Sequence, residues 1–298
     1  MCGIVGLFLK DKTLEPKLGA MLTDMLITMT DRGPDSAGIA IYGEQLDDNG
    51  KLTIQSDNAA ADFDGLADAI KAETGNSVSV IIKDTHAVLE MASQNIANIR
   101  SALASIRPGI RVMSAGDIIE IYKEVGLPRD VAARFEIANA SGTHGIGHTR
   151  MATESAVTTM GAHPFSTGAD QCLVHNGSLS NHNSLRRKLR RDGVHIETEN
   201  DSEVAAAYLT YKMQNGSSLG EALESSLDDL DGFFTFVVGT KDGFGVVRDP
   251  IACKPAVMAE TDQYVAFGSE YRALVNLPGI EDAHVWEPEP ATVYFWKH

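Results

Sequence analysis

The spacing of hydrophobic positions changes twice within the first 42 residues. "CGIVGLFL" is a short apolar run rich in β-branched residues and glycine, which predicts a buried strand. Leu18, Met21, Leu22, Met25, Leu26 and Met29 then recur at steps of three and one, so they fall on one stripe of a helix. "DRGPDSAG" breaks that period with two glycines and a proline, and "IAIY" resumes as strand. A tight, glycine-bearing loop is therefore expected between a helix and a strand.

From about Leu46 to Ser141 the pattern is mixed. "SVSVIIKD" reads as strand, and Val88, Met91, Ile99, Leu103 and Ile106 keep roughly helical spacing until Arg107-Pro108-Gly109 stops them. Asp117 with Glu120 reads as an N-terminal cap for a helix over "IIEIYKEV", ended by Gly126 and Pro128. This stretch, 46–141, is read as an insertion of mixed α/β character within one domain spanning 2–298.

Beyond it, "HGIGHTRMAT" returns to strand and loop, "QCLVHNGSLS" reads as strand then turn, and "NSLRRKLRR" as a short helix with a basic face. Ser202–Met213 and Leu219–Leu230 predict two more helices, the second opened by a Ser218/Glu221 capping box. After Gly232 the runs "FFTFVVGT", "FGVVRD", "KPAVMAE" and "YVAFGS" predict a β-meander. Strands at both ends with helices between imply a layered α+β fold: two mainly antiparallel sheets, face to face and covered by helices, with the first residue of the N-terminal strand at a sheet edge.

Charge narrows the partners. The chain carries 41 Asp+Glu against 25 Lys+Arg, a formal net of −16, which opposes binding to a phosphate backbone, so nucleic acid is not an expected partner. Its three cysteines, Cys2, Cys172 and Cys253, have no metal-like spacing and suit a reducing compartment. No apolar run reaches the roughly 20 residues needed to span a bilayer, and no signal-peptide pattern opens the chain. A cytoplasmic location without membrane attachment is expected, and the two Asn-Gly-Ser tripeptides at Asn176 and Asn215 then need a reading other than glycosylation.

Cys2 raises the chemical question. A free cysteine is most often a small buried apolar residue. If Met1 is trimmed, however, Cys2 carries both a thiol, with a pKa of about 8.5, and an α-amine at about 7.7–8.0 able to take the thiol proton. Five segments in order decide how to weigh it: "CGIVG", "RGPDSAG", "GHTRMAT", "HNGSLSN" and "NDSE". Together they resemble the class II glutamine amidotransferases, whose catalytic domain is of the N-terminal nucleophile hydrolase type, a four-layer αββα sandwich. The resemblance runs from Cys2 to about Glu203, the insertion excluded.

That resemblance implies attack by Cys2 on the side-chain amide of glutamine, a thioester, release of ammonia and hydrolysis to glutamate. It makes Asn176 and Gly177 the oxyanion hole, through a side-chain NH₂ and a backbone N–H that no Cβ shields. The residues alone also allow an ordinary Asn-Gly turn. Arg150, with Thr153 nearby, is implied as the partner of the substrate α-carboxylate. Asp201 is implied as the partner of the α-ammonium; it also reads as a helix-start carboxylate serving backbone N–H groups. Arg32, Gly33, Asp35 and Ser36 lie in the loop that the family places beside the nucleophile, or form turn chemistry with an Arg32–Asp35 ion pair.

The chain departs from hexosamine-phosphate synthases in carrying Met151 where they have a tryptophan that helps gate ammonia. It carries no Gly-rich phosphate loop, no phosphosugar-isomerase domain and no cysteine cluster, so no cofactor is expected in this chain and the acceptor chemistry is expected elsewhere. The long separation of Arg32 and Arg150 makes it most similar to the amidotransferase subunit of N-methylglutamate synthase and related glutamate-synthase-like complexes. Glutamine and partner subunits bearing flavin and iron–sulfur centres follow as expected partners. A non-catalytic assembly subunit and a stand-alone amidohydrolase are the competing readings.

Overall fold

The computed structural model describes residues 2–45, 48–152 and 156–298. The chain begins with β1 (Gly3–Leu9), α1 (Leu18–Ile27) and β2 (Ser36–Tyr42). It continues through β3 (Asn49–Gln55), α2 (Ala59–Asp62), α3 (Leu66–Thr74), β4 (Ser79–Lys83), β5 (His86–Ala92), α4 (Ile96–Ile106) and β6 (Arg111–Gly116). Next come β7 (Ile119–Val125), α5 (Pro128–Arg134), β8 (His144–Arg150), β9 (Phe165–Gly168) and β10 (Gln171–Leu179). Three helices follow, α6 (His182–Arg191), α7 (Asp201–Gln214) and α8 (Leu219–Asp229). The remaining strands are β11 (Gly232–Thr240), β12 (Gly243–Arg248), β13 (Val257–Glu260), β14 (Tyr264–Gly268), β15 (His284–Trp286) and β16 (Thr292–Lys297).

A seven-stranded sheet, ordered β15-β13-β14-β1-β8-β2-β7, faces a five-stranded sheet, β16-β12-β11-β10-β9. The strand period of two explains the layers. Ile4 and Phe8 of β1 point between the sheets, where they meet Cys172, Val174, Val237 and Phe244 of the other sheet. Val5, Leu7 and Leu9 point the other way, onto Leu18, Leu22, Met25 and Leu26 of α1 and Val131 and Ala132 of α5. The outer face of the second sheet, Leu173, Phe234, Phe236 and Val238, is covered by Val204–Leu209 of α7 and Leu219, Ala222 and Leu223 of α8. Helix, sheet, sheet and helix therefore stack in the αββα order of the N-terminal nucleophile hydrolases.

A third sheet, β4-β5-β3-β6, forms from residues 49–116 around its own core of Leu52, Ile54, Ile70, Leu89, Ile99 and Leu103, with α3 and α4 packed on it. Residues 119–125 of the insertion instead return to the edge of the seven-stranded sheet, where β7 pairs with β2. They are strand, not the expected helix. "IEIYKEV" alternates in period two, and Asp117 is taken up by Ser93 and Lys241 rather than by a helix start. The N–H groups of Asp117, Ile118 and Ile119 donate to the Asp170 carboxylate, which fixes the entry to the strand. Val88 and Met91 also belong to a strand, β5, and only Ile99, Leu103 and Ile106 lie on α4.

The C-terminal runs are not one meander either: β11 and β12 join the five-stranded sheet, while β13 and β14 join the seven-stranded one. The Ser218/Glu221 capping box is present at α8 as expected. Among the described residues, no helix is long and apolar enough to cross a membrane.

Candidate active site

Cys2 sits immediately before β1, which lies in the middle of its sheet between β14 and β8 rather than at its edge. Gly3 faces Thr149, the residue before Arg150, so the nucleophile candidate and the arginine come to the same end of adjacent strands. The main chain of Cys2 is gripped twice. Its carbonyl accepts from Arg32 Nε at 2.9 Å and, from the opposite sheet, from Asn176 Nδ2 at 3.3 Å. Cys2 itself is half-buried. Met1, on whose removal the free amine depends, lies outside the described residues.

Asn176 and Gly177 are not a turn. β10 runs straight through them, with Asn176 opposite Thr235 and Gly177 opposite Phe234 on β11. Glycine is required here: at φ 156° a Cβ would stand 2.0 Å from the Phe233 carbonyl oxygen. The Asn176 side chain is 3% exposed, and a primary amide carries two N–H donors, so one N–H remains beyond the bond to Cys2.

Arg150 ends β8, is 6% exposed and donates from Nη1 to the Ala156 carbonyl at 3.3 Å. Asp35 braces its backbone. The Asp35 N–H donates to the Arg150 carbonyl at 3.1 Å, its carbonyl accepts from Gly126 at 3.0 Å, and its carboxylate accepts from the Ala152 N–H at 2.8 Å. Gly33 lies flat on the same strand end, where a Cβ would fall 2.4 Å from the Thr149 carbonyl carbon and 2.5 Å from the Arg150 nitrogen. The expected ion pair of Arg32 with Asp35 gives way to Arg32 with Glu270 at 2.6 Å, and Glu270 also holds Arg272 at 2.8 Å. Ser36 begins β2 opposite Arg150. Thr153 lies outside the described residues.

Asp201 opens α7, but the helix cap is the preceding residue: the Asn200 side chain accepts from the Ser202 N–H. The Asp201 carboxylate accepts from the Leu179 N–H at 2.9 Å, which sets it two residues beyond Gly177 along β10. Ser202 Oγ stands 2.9 Å from His175 Nδ1 and 3.3 Å from Asp201 Oδ1. Burial pushes the His175 pKa down to about 4 against the pull of the Asp201 carboxylate, so the imidazole is neutral near pH 7. His148 behind it, whose Nε2 lies 3.2 Å from the His175 carbonyl oxygen, is likewise pushed down to about 3 by burial.

Sequence reasoning missed His175, Ser202 and Glu270. His175 reads as one more residue of an apolar strand, and Glu270 lies too far along the chain from Arg32 for any local pattern to join them.

A half-buried cysteine at the chain start, an amide from the facing sheet and a buried arginine thus surround one strand end. Residues 148–276 match a glutamine amidotransferase domain model. Over 298 residues, 100% of this chain and 99% of the relative, the sequence is 70% identical to the glutamine amidotransferase-like protein GlxB of Rhizobium meliloti. The chain belongs to the class II glutamine amidotransferases. An amidophosphoribosyltransferase of Methanocaldococcus jannaschii is 32% identical over 167 residues, 55% of this chain and 36% of that one. The glutamine phosphoribosylpyrophosphate amidotransferase of B. subtilis has the same fold, with a TM-score of 0.63 at 18% identity over 99% of this chain and 47% of that structure. The enzyme class is accordingly glutamine amidotransferase.

Proposed function

We propose that this amidotransferase hydrolyses glutamine to glutamate and ammonia through Cys2. The observation that carries the reading is the double grip on the Cys2 carbonyl by Arg32 and Asn176, which fixes the main chain of the nucleophile and brings an oxyanion donor to it in one contact. With Met1 removed, the α-amine takes the thiol proton as Sγ attacks the amide carbon. The oxygen of the tetrahedral intermediate is met by the second N–H of Asn176 and the backbone N–H of Gly177. Collapse breaks the C–N bond, the α-ammonium returns its proton to the leaving nitrogen, and ammonia departs. Water then adds to the thioester, the amine again serving as base, and glutamate leaves with the thiol restored.

Arg150 is assigned to the substrate α-carboxylate, with Thr153 beside it, and Asp201 to the α-ammonium. A planar guanidinium suits a carboxylate, and a carboxylate already held by the Leu179 N–H is pre-oriented for a cation. Arg32, Gly33 and Asp35 are positioning residues in this scheme. Arg32 holds Cys2, Gly33 lets the loop lie against β8, and Asp35 braces Arg150.

We further propose that the nitrogen passes to a separate synthase subunit of glutamate-synthase-like type, N-methylglutamate synthase being the leading candidate, with flavin and iron–sulfur centres on the partner and no cofactor on this chain. The reading is supported by the candidate set for releasing ammonia around Cys2, ammonia being the nitrogen source that such a synthase consumes. Ammonia released into water near pH 7 is largely protonated, so coupling needs the partner to cover the site. Co-purification from the native host, followed by glutaminase assays with and without the accompanying subunits, tests it. A homomeric enzyme of full activity with no associated synthase makes a stand-alone glutaminase the better account.

A further inference from the structure

Alternation along β10 gives its two faces different tasks. Asn176 points between the sheets to Cys2, while Leu173, His175 and Leu179 point the other way, under α7. His175 is the polar member of that apolar face. It is 3% exposed, and burying an imidazole costs free energy wherever its nitrogens go unbonded. An aliphatic side chain would fill the face without that cost. Only Nδ1 finds a hydrogen-bond partner, Ser202 Oγ at 2.9 Å, and Nε2 has none among the described residues.

The direction of these bonds follows from the third member. A carboxylate can only accept, so the contact of Ser202 Oγ with Asp201 Oδ1 at 3.3 Å uses the serine proton. Oγ then accepts from His175, which places a proton on Nδ1. Asp201 Oδ1 lies 3.9 Å from that nitrogen, and its charge favours the same tautomer. Burial keeps the ring neutral and the charge of Lys254 acts in the same sense, so the imidazole has one N–H and spends it on Ser202.

A chain of donors therefore runs from His175 Nδ1 through Ser202 Oγ to Asp201, whose side chain is 24% exposed. The other Asp201 oxygen accepts from the Leu179 N–H. One donor on each oxygen fixes the plane of the carboxylate and leaves lone pairs for a cation. The imidazole is itself held, meeting the Phe236 ring at 5.0 Å with the planes 75° apart and packing beneath Gly177, where a Cβ would stand 2.7 Å from Nε2. We propose that His175 and Ser202 are positioning residues for substrate selection, orienting Asp201 toward the α-ammonium of glutamine. This rests on the assignment of Asp201 given above.

The test compares glutamine with glutaramate, which is glutamine without its α-amine. Both are titrated by calorimetry into the full chain carrying Cys2→Ala, so that binding is read without turnover. Glutamine should bind at least tenfold more tightly than glutaramate. Adding Ser202→Ala should weaken glutamine about three- to tenfold and leave glutaramate unchanged, because only the ammonium contact depends on the relay. Ser202→Thr keeps the hydroxyl and should restore most of the affinity. His175→Leu should match Ser202→Ala, while His175→Asn, whose amide N–H falls near the place of Nδ1, should stay closer to the parent. The serine variants keep the test open if a His175 variant fails to fold. Equal weakening of both ligands, glutamine affinity unchanged in Ser202→Ala, or a Ser202→Thr no better than Ser202→Ala overturns the proposal. A parent chain that binds glutamine no better than glutaramate overturns the Asp201 assignment with it. Glutamine binding that responds as expected in a chain whose wild type releases no ammonia supports the relay and contradicts the catalytic reading alone.

Discussion

Arg32 and Asn176 converge on a single atom, the carbonyl oxygen of Cys2, from two different sheets' surroundings. Arg32 comes from the turn after α1 and Asn176 from the middle of β10, so the candidate nucleophile is clamped at the junction of the two layers. Both bonds go to main chain, which leaves the thiol outside the clamp. Glu270, itself paired with Arg272, holds the guanidinium in place.

From this clamp follows the behaviour of Arg32 variants. Arg32→Met removes a charge-assisted donor and leaves the Glu270 carboxylate without that partner, so Cys2 loses one of its two restraints. Steady-state kinetics should show kcat reduced by roughly tenfold or more with KM for glutamine little changed, because a displaced nucleophile affects the reacting geometry and not substrate binding. A fall in affinity with kcat intact would move Arg32 from positioning to substrate contact.

Asn176→Ala tests the oxyanion assignment. Loss of one such donor typically costs about 10²–10³ in kcat, and the same is expected here with a smaller effect on KM. A variant within about twofold of wild type would leave Asn176 as a strand residue that merely touches Cys2.

Much of this site is legible in the sequence because each feature is carried by chemistry within a few residues. Gly33 and Gly177 are where a Cβ would collide with backbone, and the capping box at Ser218 is a four-residue device. Pairings across the fold are not. Arg32 with Glu270, Asp35 with Ala152, and Ser202 with His175 depend on which strands become neighbours, and nothing local specifies that. The misread of 119–125 has the same cause. Asp117 and Glu120 offer a cap locally, while pairing of β7 with β2 and the Asp170 carboxylate decide the outcome from a distance.

Substrate recognition should show in Asp201. Asp201→Asn keeps an acceptor for the Leu179 N–H and loses the charge offered to an α-ammonium, so KM for glutamine should rise at least tenfold while the fold persists. N-acetylglutamine should be a poor substrate of wild type. If it is hydrolysed as efficiently as glutamine, the ammonium role is untenable.

Buried histidines make the fold acid-sensitive. Burial holds His86, His144 and His148 down to about 3 and His175 to about 4, against an ordinary value near 6.5. Between those values the unfolded chain binds protons that the folded one refuses, so stability is full above about pH 6.5 and is lost as pH falls. Each such histidine contributes up to about 1.4 kcal/mol per pH unit in that window. Urea midpoints should fall steeply from pH 7 to pH 4.5. A flat profile would mean that these imidazoles protonate in the folded state.

The central claim is that this chain cleaves glutamine with Cys2, and ammonia release from glutamine by purified wild type and Cys2→Ala, each checked by intact mass for loss of Met1, tests it most directly. Wild type lacking Met1 should release ammonia, and folded Cys2→Ala should fall to background. Full activity in Cys2→Ala, or in protein that retains Met1, would contradict the account.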